Sequence, residues 1–165
     1  MNQPEQTLAA AQQAVASNPN DDAQHIQLGM AYFEAGRFDE ATAAFHHALL
    51  LNPHSAAAYN GIGRVRYHTG PPTAAIAAYE QAIALDPHYI DPVYGLGILY
   101  SAQLGDYEQA VAAFAQGLRH NPENAFLTAM MPGGMAWQHY RVRFENGVEL
   151  GLLDRKKLSL VPLPA

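Results

Sequence analysis

The sequence predicts an all-α protein, a solenoid of three helix–turn–helix repeats. The first observation is a period of 34 residues, over which three successive segments align in register, the last being one residue longer: 22–55, 56–89 and 90–124. The second is that small and aromatic residues recur at fixed offsets: Gly29, Gly63 and Gly97; Ala41, Ala75 and Ala110; Phe45, Tyr79 and Phe114. Such a period indicates units that bury their apolar faces only by stacking on their neighbours.

Residues 1–20 precede the array and predict one helix rich in alanine and glutamine, over Pro4–Ala16. Asn18-Pro19 ends this helix, and Pro19 lies one period before Pro53. The helix therefore takes the place of a second helix whose first helix is missing. Because the end of a repeat array must present a polar face to water, we expect residues 1–20 to cap the first repeat.

The first repeat predicts two helices joined by a tight turn. Apolar residues cover most of the circumference of Asp22–Ala35, which indicates a helix buried on two sides. Gly36 follows it, in the C′ position where a glycine ends many helices. The second helix has two acidic residues in its first turn, where they suit the helix dipole, and it ends before Pro53. We expect Gly29 and Ala41 to be the points of closest approach between the two helices.

Residues 56–89 and 90–124 repeat this plan with two local departures. In the second repeat, Pro72 stands where the other two repeats have an aromatic residue, which predicts thinner packing at that turn. In the third, the extra residue is expected within Gln103–Gly105, where it would lengthen the turn between the helices. Three helix pairs are therefore predicted over residues 21–124.

Residues 125–165 depart from the period. Ala125–Met131 begins as a further first helix would, but Pro132-Gly133-Gly134 cannot continue it. Beyond that point apolar and charged residues alternate on both sides of Asn146-Gly147, a dipeptide typical of two-residue hairpin turns. We expect a β-hairpin over residues 138–153, followed by an extended tail that needs a surface on which to lie.

This pattern resembles the tetratricopeptide repeat family, closely over residues 21–124 and loosely over 4–20. The family motif places a large residue, Leu-Gly, Tyr, Ala, an aromatic residue, Ala and Pro at fixed positions. The first repeat matches that motif with the following residues: His25, Leu28-Gly29, Tyr32, Ala41, Phe45, Ala48 and Pro53. The resemblance implies a right-handed helical solenoid that binds other proteins. It does not identify the partner, because the family hosts many unrelated roles.

In this family the first helices line a concave groove, through the fifth, ninth and twelfth residues of each repeat. The last of these nine positions is held by Ser101, and the resemblance assigns the other eight as candidate partner-binding residues: Ile26, Met30, Phe33, Asn60, Arg64, Tyr67, Tyr94 and Ile98. The set is largely apolar and aromatic with one cation at its centre, which suits an apolar peptide or an amphipathic helix. The alternative is that these side chains only line a short solenoid.

One ligand class of the family is disfavoured. Members that bind an acidic C-terminal peptide hold it in a carboxylate clamp of Lys, Asn and Arg side chains. Ile26 and Met30 stand at the first two clamp positions, and the later positions hold Gly61, Asp91 and Gly95. The resemblance therefore implies a partner that is not a carboxylate-clamp ligand.

Composition argues against several classes of function. The chain has no cysteine, so it has neither disulfides nor thiolate metal ligands. The net charge is −6, and residues 1–123 hold 4 basic and 12 acidic side chains, which argues against nucleic acid as the main partner. The eight histidines form no recognisable metal-binding motif, and no serine has a base placed beside it. We therefore expect no metal, no cofactor and no catalytic site.

The same considerations lead to an expected location and to two classes of function. The N-terminal segment carries Glu5 and no basic residues, unlike a signal peptide, and no apolar run reaches the roughly 18 residues that a membrane span needs. A cytoplasmic protein is therefore expected. The first class is an adapter or assembly factor that holds a largely apolar partner segment in the groove. The second is a structural subunit that self-associates, or joins a larger assembly, through its C-terminal segment.

Overall fold

The computed structural model of the protein describes residues 3–131, 140–143 and 159–162. The chain divides into two compact units, Met1–Pro92 and Val93–Ala165. The helices, in chain order, are α1 (Gln3–Ser17), α2 (Asp22–Glu34), α3 (Phe38–Leu51), α4 (Ala56–Thr69), α5 (Pro72–Leu85), α6 (Ile90–Ile98), a π-helical turn (Leu99–Gln103), α7 (Tyr107–His120) and α8 (Ala125–Ala129). None of the helices in the described part of the chain is long and apolar enough to cross a bilayer.

The first unit is organised around an aromatic ring that lies on two glycines. Helices α2 and α3 pack as one pair, α4 and α5 as the next, and α3 also contacts α4. The Phe45 side chain of α3 is completely buried. A Cβ added to Gly29 would lie 2.6 Å from Cε1 of that ring, and a Cβ on Gly61 would collide with the same ring. Phe45 therefore packs against the first helix of its own repeat and against that of the next.

The turn between α2 and α3 forms as the sequence predicts. Gly36 has a φ of 72°, and its amide donates to the carbonyl of Phe33 at 2.9 Å. The amide of Arg37 donates to the carbonyl of Tyr32 at 2.8 Å. This pair of hydrogen bonds is a Schellman motif, which satisfies the last carbonyls of the helix. Helices α2 and α4 each begin after an N-cap residue whose side chain accepts a backbone hydrogen bond. Asp21 accepts from Ala23 N at 3.0 Å, and Ser55 accepts from Ala58 N at 3.2 Å.

Helix α1 packs against α2. The side-chain amide of Gln12 donates to the Tyr32 hydroxyl at 3.1 Å, and a ring nitrogen of the buried His25 lies 2.8 Å from the carbonyl oxygen of Pro19. Most of the remaining α1 side chains are exposed. These contacts fasten the helix and the loop that follows it onto the first repeat.

In the second unit the extra residue of the third repeat lies inside a helix. Leu99–Gln103 forms a π-helical turn, and the amide of Leu104 donates to the carbonyl of Leu99 at 3.2 Å. Gly105 then has a φ of 65°, so the turn itself has the same left-handed glycine as the first repeat. The expectation of a longer turn at Gln103–Gly105 was therefore wrong, because widening one helical turn accommodates an added residue while keeping the helix hydrogen-bonded.

Packing in the second unit repeats the aromatic–glycine contact. The buried Phe114 ring of α7 lies where a Cβ on Gly97 would be. Gly117 stands where the other repeats have alanine. A Cβ at this position would lie 2.7 Å from Val93 Cγ1 and 2.8 Å from Leu127 Cδ1, which is too close for alanine. Leu127 belongs to α8. The N-cap residue of that helix is Asn124, whose Oδ1 accepts a hydrogen bond from Leu127 N at 2.8 Å.

Two short strands lie near the C-terminus. Strand β1 (Tyr140–Arg143) pairs antiparallel with β2 (Ser159–Pro162), with Tyr140 opposite Pro162 and Arg143 opposite Ser159. The alternating run at 140–143 is thus extended, as expected, but its described partner comes from the segment that we expected to be an extended tail. The Asn146-Gly147 turn and the second arm of the 138–153 hairpin lie outside the described residues and stay predictions.

The buried alanines of α3 and α5 give the first test. Ala41 and Ala75 are both completely buried at the helix contacts. We expect Ala41→Leu and Ala75→Leu each to lower the free energy of unfolding by about 1–3 kcal/mol through overpacking. Ala43→Leu, on the exposed side of α3, is the control and should change little. Urea denaturation checks this, and equal stability of Ala41→Leu and the wild type would contradict it.

The π-helical turn gives the second test. Deleting the exposed Ala102 restores the 34-residue length of the other repeats and lets the turn close as ordinary α-helix. We expect the shortened chain to keep its helical circular dichroism and to melt no lower than the wild type. Deleting Ala77, which is exposed in the middle of the regular helix α5, is the control and should lower the melting temperature, because it shifts the register of the buried residues beyond it.

Candidate partner-binding surface

Six of the eight candidate residues lie on two neighbouring helices of the first unit. Ile26, Met30 and Phe33 lie on α2, and Asn60, Arg64 and Tyr67 lie on α4. Spacings of three and four residues put each set on one face of its helix. Helices α2 and α4 contact each other directly. The structure therefore brings part of the predicted surface together.

Arg64 is the centre of this surface. Its Nη1 donates to the thioether sulfur of Met30 at 3.1 Å. Its Cζ lies 4.4 Å from the centroid of the Phe33 ring, which is the geometry of a cation–π contact. The guanidinium thus contacts a sulfur and a ring, and no carboxylate of the described residues forms an ion pair with it. Among the described residues, the recorded ion pair is that of Arg37 with Glu40, at 2.6 Å.

An aromatic cluster continues from Phe33 towards the end of α4. The Phe33 ring lies 5.5 Å from His68, and Phe38 stacks on His68 at 5.7 Å with an interplanar angle of 7°. Tyr67 meets His68 edge-on at 5.2 Å. The family positions did not include Phe38 or His68. His68 could have been found from its spacing, because it lies four residues after Arg64 and so on the same side of α4.

Asn60 takes part in a different way from the other candidates. It is only 4% exposed, and its Nδ2 donates to the Tyr89 hydroxyl at 3.0 Å. Burial, followed by the nearby Asp91 carboxylate, raises the pKa of Tyr89. The buried Asn60 Oδ1 atom has no hydrogen-bond partner among the residues that the structure describes. Asn60 is therefore buried rather than presented to a partner, and its hydrogen bond links the loop after α5 to α4.

The apolar candidates on α2 also belong to the core. Ile26, Met30 and Phe33 are partly buried and pack against a cluster that includes Phe45 and Val65. Close by, burial raises the pKa of Tyr79 to about 12, against the smaller opposing effect of Arg64. Because Ile26, Met30 and Phe33 pack against the core, the fold sets the positions of their side chains.

The two remaining candidates lie in the second unit. Tyr94 is 39% exposed, and its ring meets that of Phe126 edge-on at 4.8 Å. Ile98 is partly buried at the residue before the π-helical turn. Phe126 was not among the predicted residues, because it follows the last full repeat.

The charged groups of the neighbouring described segments include Arg37, Glu40 and the Asp91 carboxylate near Tyr89. The Arg37 guanidinium, through its hydrogen bond, lowers the pKa of Glu40, and Arg37 also lies 4.7 Å above the ring of Tyr32. No group of three or more metal-ligating side chains occurs in the described ranges. The chemistry that the surface offers is one guanidinium within a set of aromatic and thioether groups, which suits recognition of another molecule.

Solved structures of known proteins share this fold. A crystal structure of MamA is 23% identical and covers 84% of this chain and 84% of its own, with a TM-score of 0.62. A second MamA structure is 25% identical and covers 79% and 70%, with a TM-score of 0.60. TTC0263, a thermophilic tetratricopeptide repeat protein of Thermus thermophilus, is 24% identical and covers 73% and 66%, with a TM-score of 0.65. No curated protein is recognisably similar in sequence.

Two family models match the sequence, and both describe a tetratricopeptide repeat. The first covers residues 26–90 and the second covers residues 67–130. Together they span well over half of the 165 residues. Because the helix pairs, the glycine contacts and the solved relatives agree with these matches, the predicted all-α fold is confirmed, and the chain belongs to the tetratricopeptide repeat family.

Proposed function

We propose that this protein is an adapter or assembly factor, and that it binds a largely apolar protein segment on the surface formed by Met30, Phe33, Arg64 and Tyr67. Membership of the tetratricopeptide repeat family supports a role in protein interaction or assembly. Beyond that role, we propose that the partner is bound through one segment, that this segment is largely apolar, and that it contacts these residues. Tyr94 and Ile98, which belong to the second unit, stay predicted partner contacts.

The observation that carries the proposal is the environment of Arg64. The guanidinium is partly buried, lies on the Phe33 ring and donates to a thioether, which is a weak acceptor. A partly desolvated cation gains the most binding energy when a partner brings a stronger acceptor than the thioether and surrounds that acceptor with apolar groups. A partner segment that places one carboxylate or backbone carbonyl among apolar side chains meets that requirement.

The remaining features fit the same partner. Aromatic and arginine side chains are the usual energetic anchors of protein interfaces. The clamp positions hold Ile26, Met30, Gly61, Asp91 and Gly95, so the partner is not a carboxylate-clamp ligand. Because one charge takes part, binding should weaken only modestly with salt. The proposal includes a non-catalytic role in the cytoplasm without a metal or cofactor.

A second candidate function rests on the second unit. Tyr94 and Phe126 form an aromatic pair in which both rings are well exposed, at 39% and 45%, and Leu104 is 46% exposed. Exposed apolar residues of this size are typical of contact surfaces. A structural subunit that self-associates through this end of the chain is therefore the alternative. Light scattering over a range of concentrations separates the two, because a concentration-independent monomer favours the adapter.

Binding to variants tests the adapter. A library of random 15-residue peptides is displayed on phage and selected on the full chain, and the selected peptide is titrated by fluorescence anisotropy. We expect the selected sequences to be apolar with one acidic residue. Arg64→Ala, Tyr67→Ala or Tyr94→Ala should weaken binding by more than about 1 kcal/mol in at least one case.

Two control variants sharpen the comparison. Arg66→Ala removes the same charge from the same helix but from another face, and Gln81→Ala removes an exposed side chain of α5. Both should bind within about 0.5 kcal/mol of the wild type. The proposal fails if the three surface variants bind like wild type, or if Arg66→Ala also weakens binding by more than about 1 kcal/mol.

A further inference from the structure

The contact between Arg64 and Met30 has a chemical property that partner binding does not use. The sulfur of Met30 lies 3.1 Å from Nη1 of Arg64, and Met30 is partly buried rather than enclosed. The guanidinium also lies on the Phe33 ring, at 4.4 Å. A partly buried thioether can be oxidised to a sulfoxide, and the Arg64 guanidinium is already close enough to donate a hydrogen bond to the sulfoxide oxygen.

Oxidation would change the strength of this contact. A thioether sulfur is a weak hydrogen-bond acceptor, whereas the oxygen of a sulfoxide is polar and accepts strongly. Hydrogen bonds from a charged donor to such an oxygen are among the strong ones in proteins. The sulfur must draw back from Nη1 to make room for the oxygen, and the methionine side chain has the rotatable bonds to do so.

We propose that Met30 is an oxidation site, and that Arg64 captures its sulfoxide oxygen and is thereby withdrawn from the partner-binding surface. The oxidant is a peroxide. The sulfur lone pair attacks the terminal peroxide oxygen, the S–O bond forms and the O–O bond breaks. The sulfur loses two electrons, and hydrogen peroxide leaves as water after a proton transfer between its oxygens.

Oxidation of Met30 affects partner binding because of where Met30 lies. Met30 and Arg64 both belong to the proposed partner-binding surface, so this step rests on the proposed function. The sulfoxide puts a polar oxygen among the apolar groups of α2 and occupies the donor that a partner's acidic group would use. Oxidised protein therefore binds its partner more weakly, and the enzymes that reduce methionine sulfoxide restore binding.

The capture of the sulfoxide is tested without any ligand. The full chain is treated with hydrogen peroxide, and peptide mass spectrometry locates the oxidised methionines. The two sulfoxide epimers at Met30 are then distinguished with the two reductases, each of which reduces one epimer. We expect folded wild type to form Met30 sulfoxide with one epimer in excess, and we expect that excess to fall in Arg64→Gln, whose side chain lacks the charge.

Melting curves give a second readout and guard against an unfolded variant. Oxidation should lower the melting temperature of Arg64→Gln more than that of the wild type, because the wild-type sulfoxide keeps a charged donor. Met30→Leu keeps the apolar volume without the sulfur, so peroxide acts in this variant only on the other four methionines, and it should lower the melting temperature less than in Arg64→Gln. An equal epimer ratio and an equal melting shift with and without Arg64, or no oxidation of Met30 in the folded chain, would overturn the capture.

The consequence for binding is measured with the phage-selected peptide. Oxidation should weaken its binding to the wild type by about fivefold, the effect of one lost hydrogen bond, and should leave binding to Met30→Leu unchanged. Unchanged binding by the oxidised wild type would overturn the withdrawal of Arg64. Failure of every peptide to bind the untreated chain is the distinct result that counts against the proposed function, since the epimer and melting measurements do not involve the peptide.

Discussion

The close contact between an aromatic ring and a glycine is the constraint on which the first unit depends. Phe45 is completely buried and lies against Gly29 of its own repeat and Gly61 of the next. A ring cannot bend away as a flexible side chain can, so each glycine must lack a Cβ for the helices to approach. The same ring therefore fixes the distance within one helix pair and between successive pairs. Phe114 and Gly97 repeat the contact in the second unit.

This packing also creates the proposed partner-binding surface. Because Phe45 lies against both first helices, α2 and α4 come close enough for Arg64 to reach Met30, which lies 34 residues earlier. That separation is the repeat period, so the bond joins the same position of two consecutive repeats. A large residue at Gly61 would push α4 away from the ring and remove this contact. The chemistry of the surface is thus a consequence of the core.

The sequence predicted the features that depend on the repeat period or on local patterns, and it missed contacts between distant parts of the chain. The period placed the helix pairs, and Gly36 predicted where the first helix of the first repeat ends, because a helix end of this kind depends on local backbone geometry. It could not place the π-helical turn at Leu99–Gln103, since an extra residue costs little in either a helix or a loop. Nor could it predict that Asn60 is buried beneath Tyr89, or that strand β1 pairs with β2, because these contacts join side chains or strands across long stretches of chain.

A double-mutant cycle between Phe45 and Gly61 tests this account most directly. Gly61→Ala alone should destabilise strongly, because its Cβ collides with the ring. In the Phe45→Leu background the outer ring atoms are gone, so the same substitution should cost at least about 1 kcal/mol less. Urea denaturation of the wild type, both single variants and the double variant measures the difference. Additive losses in stability would show that the ring does not set the approach of the helices.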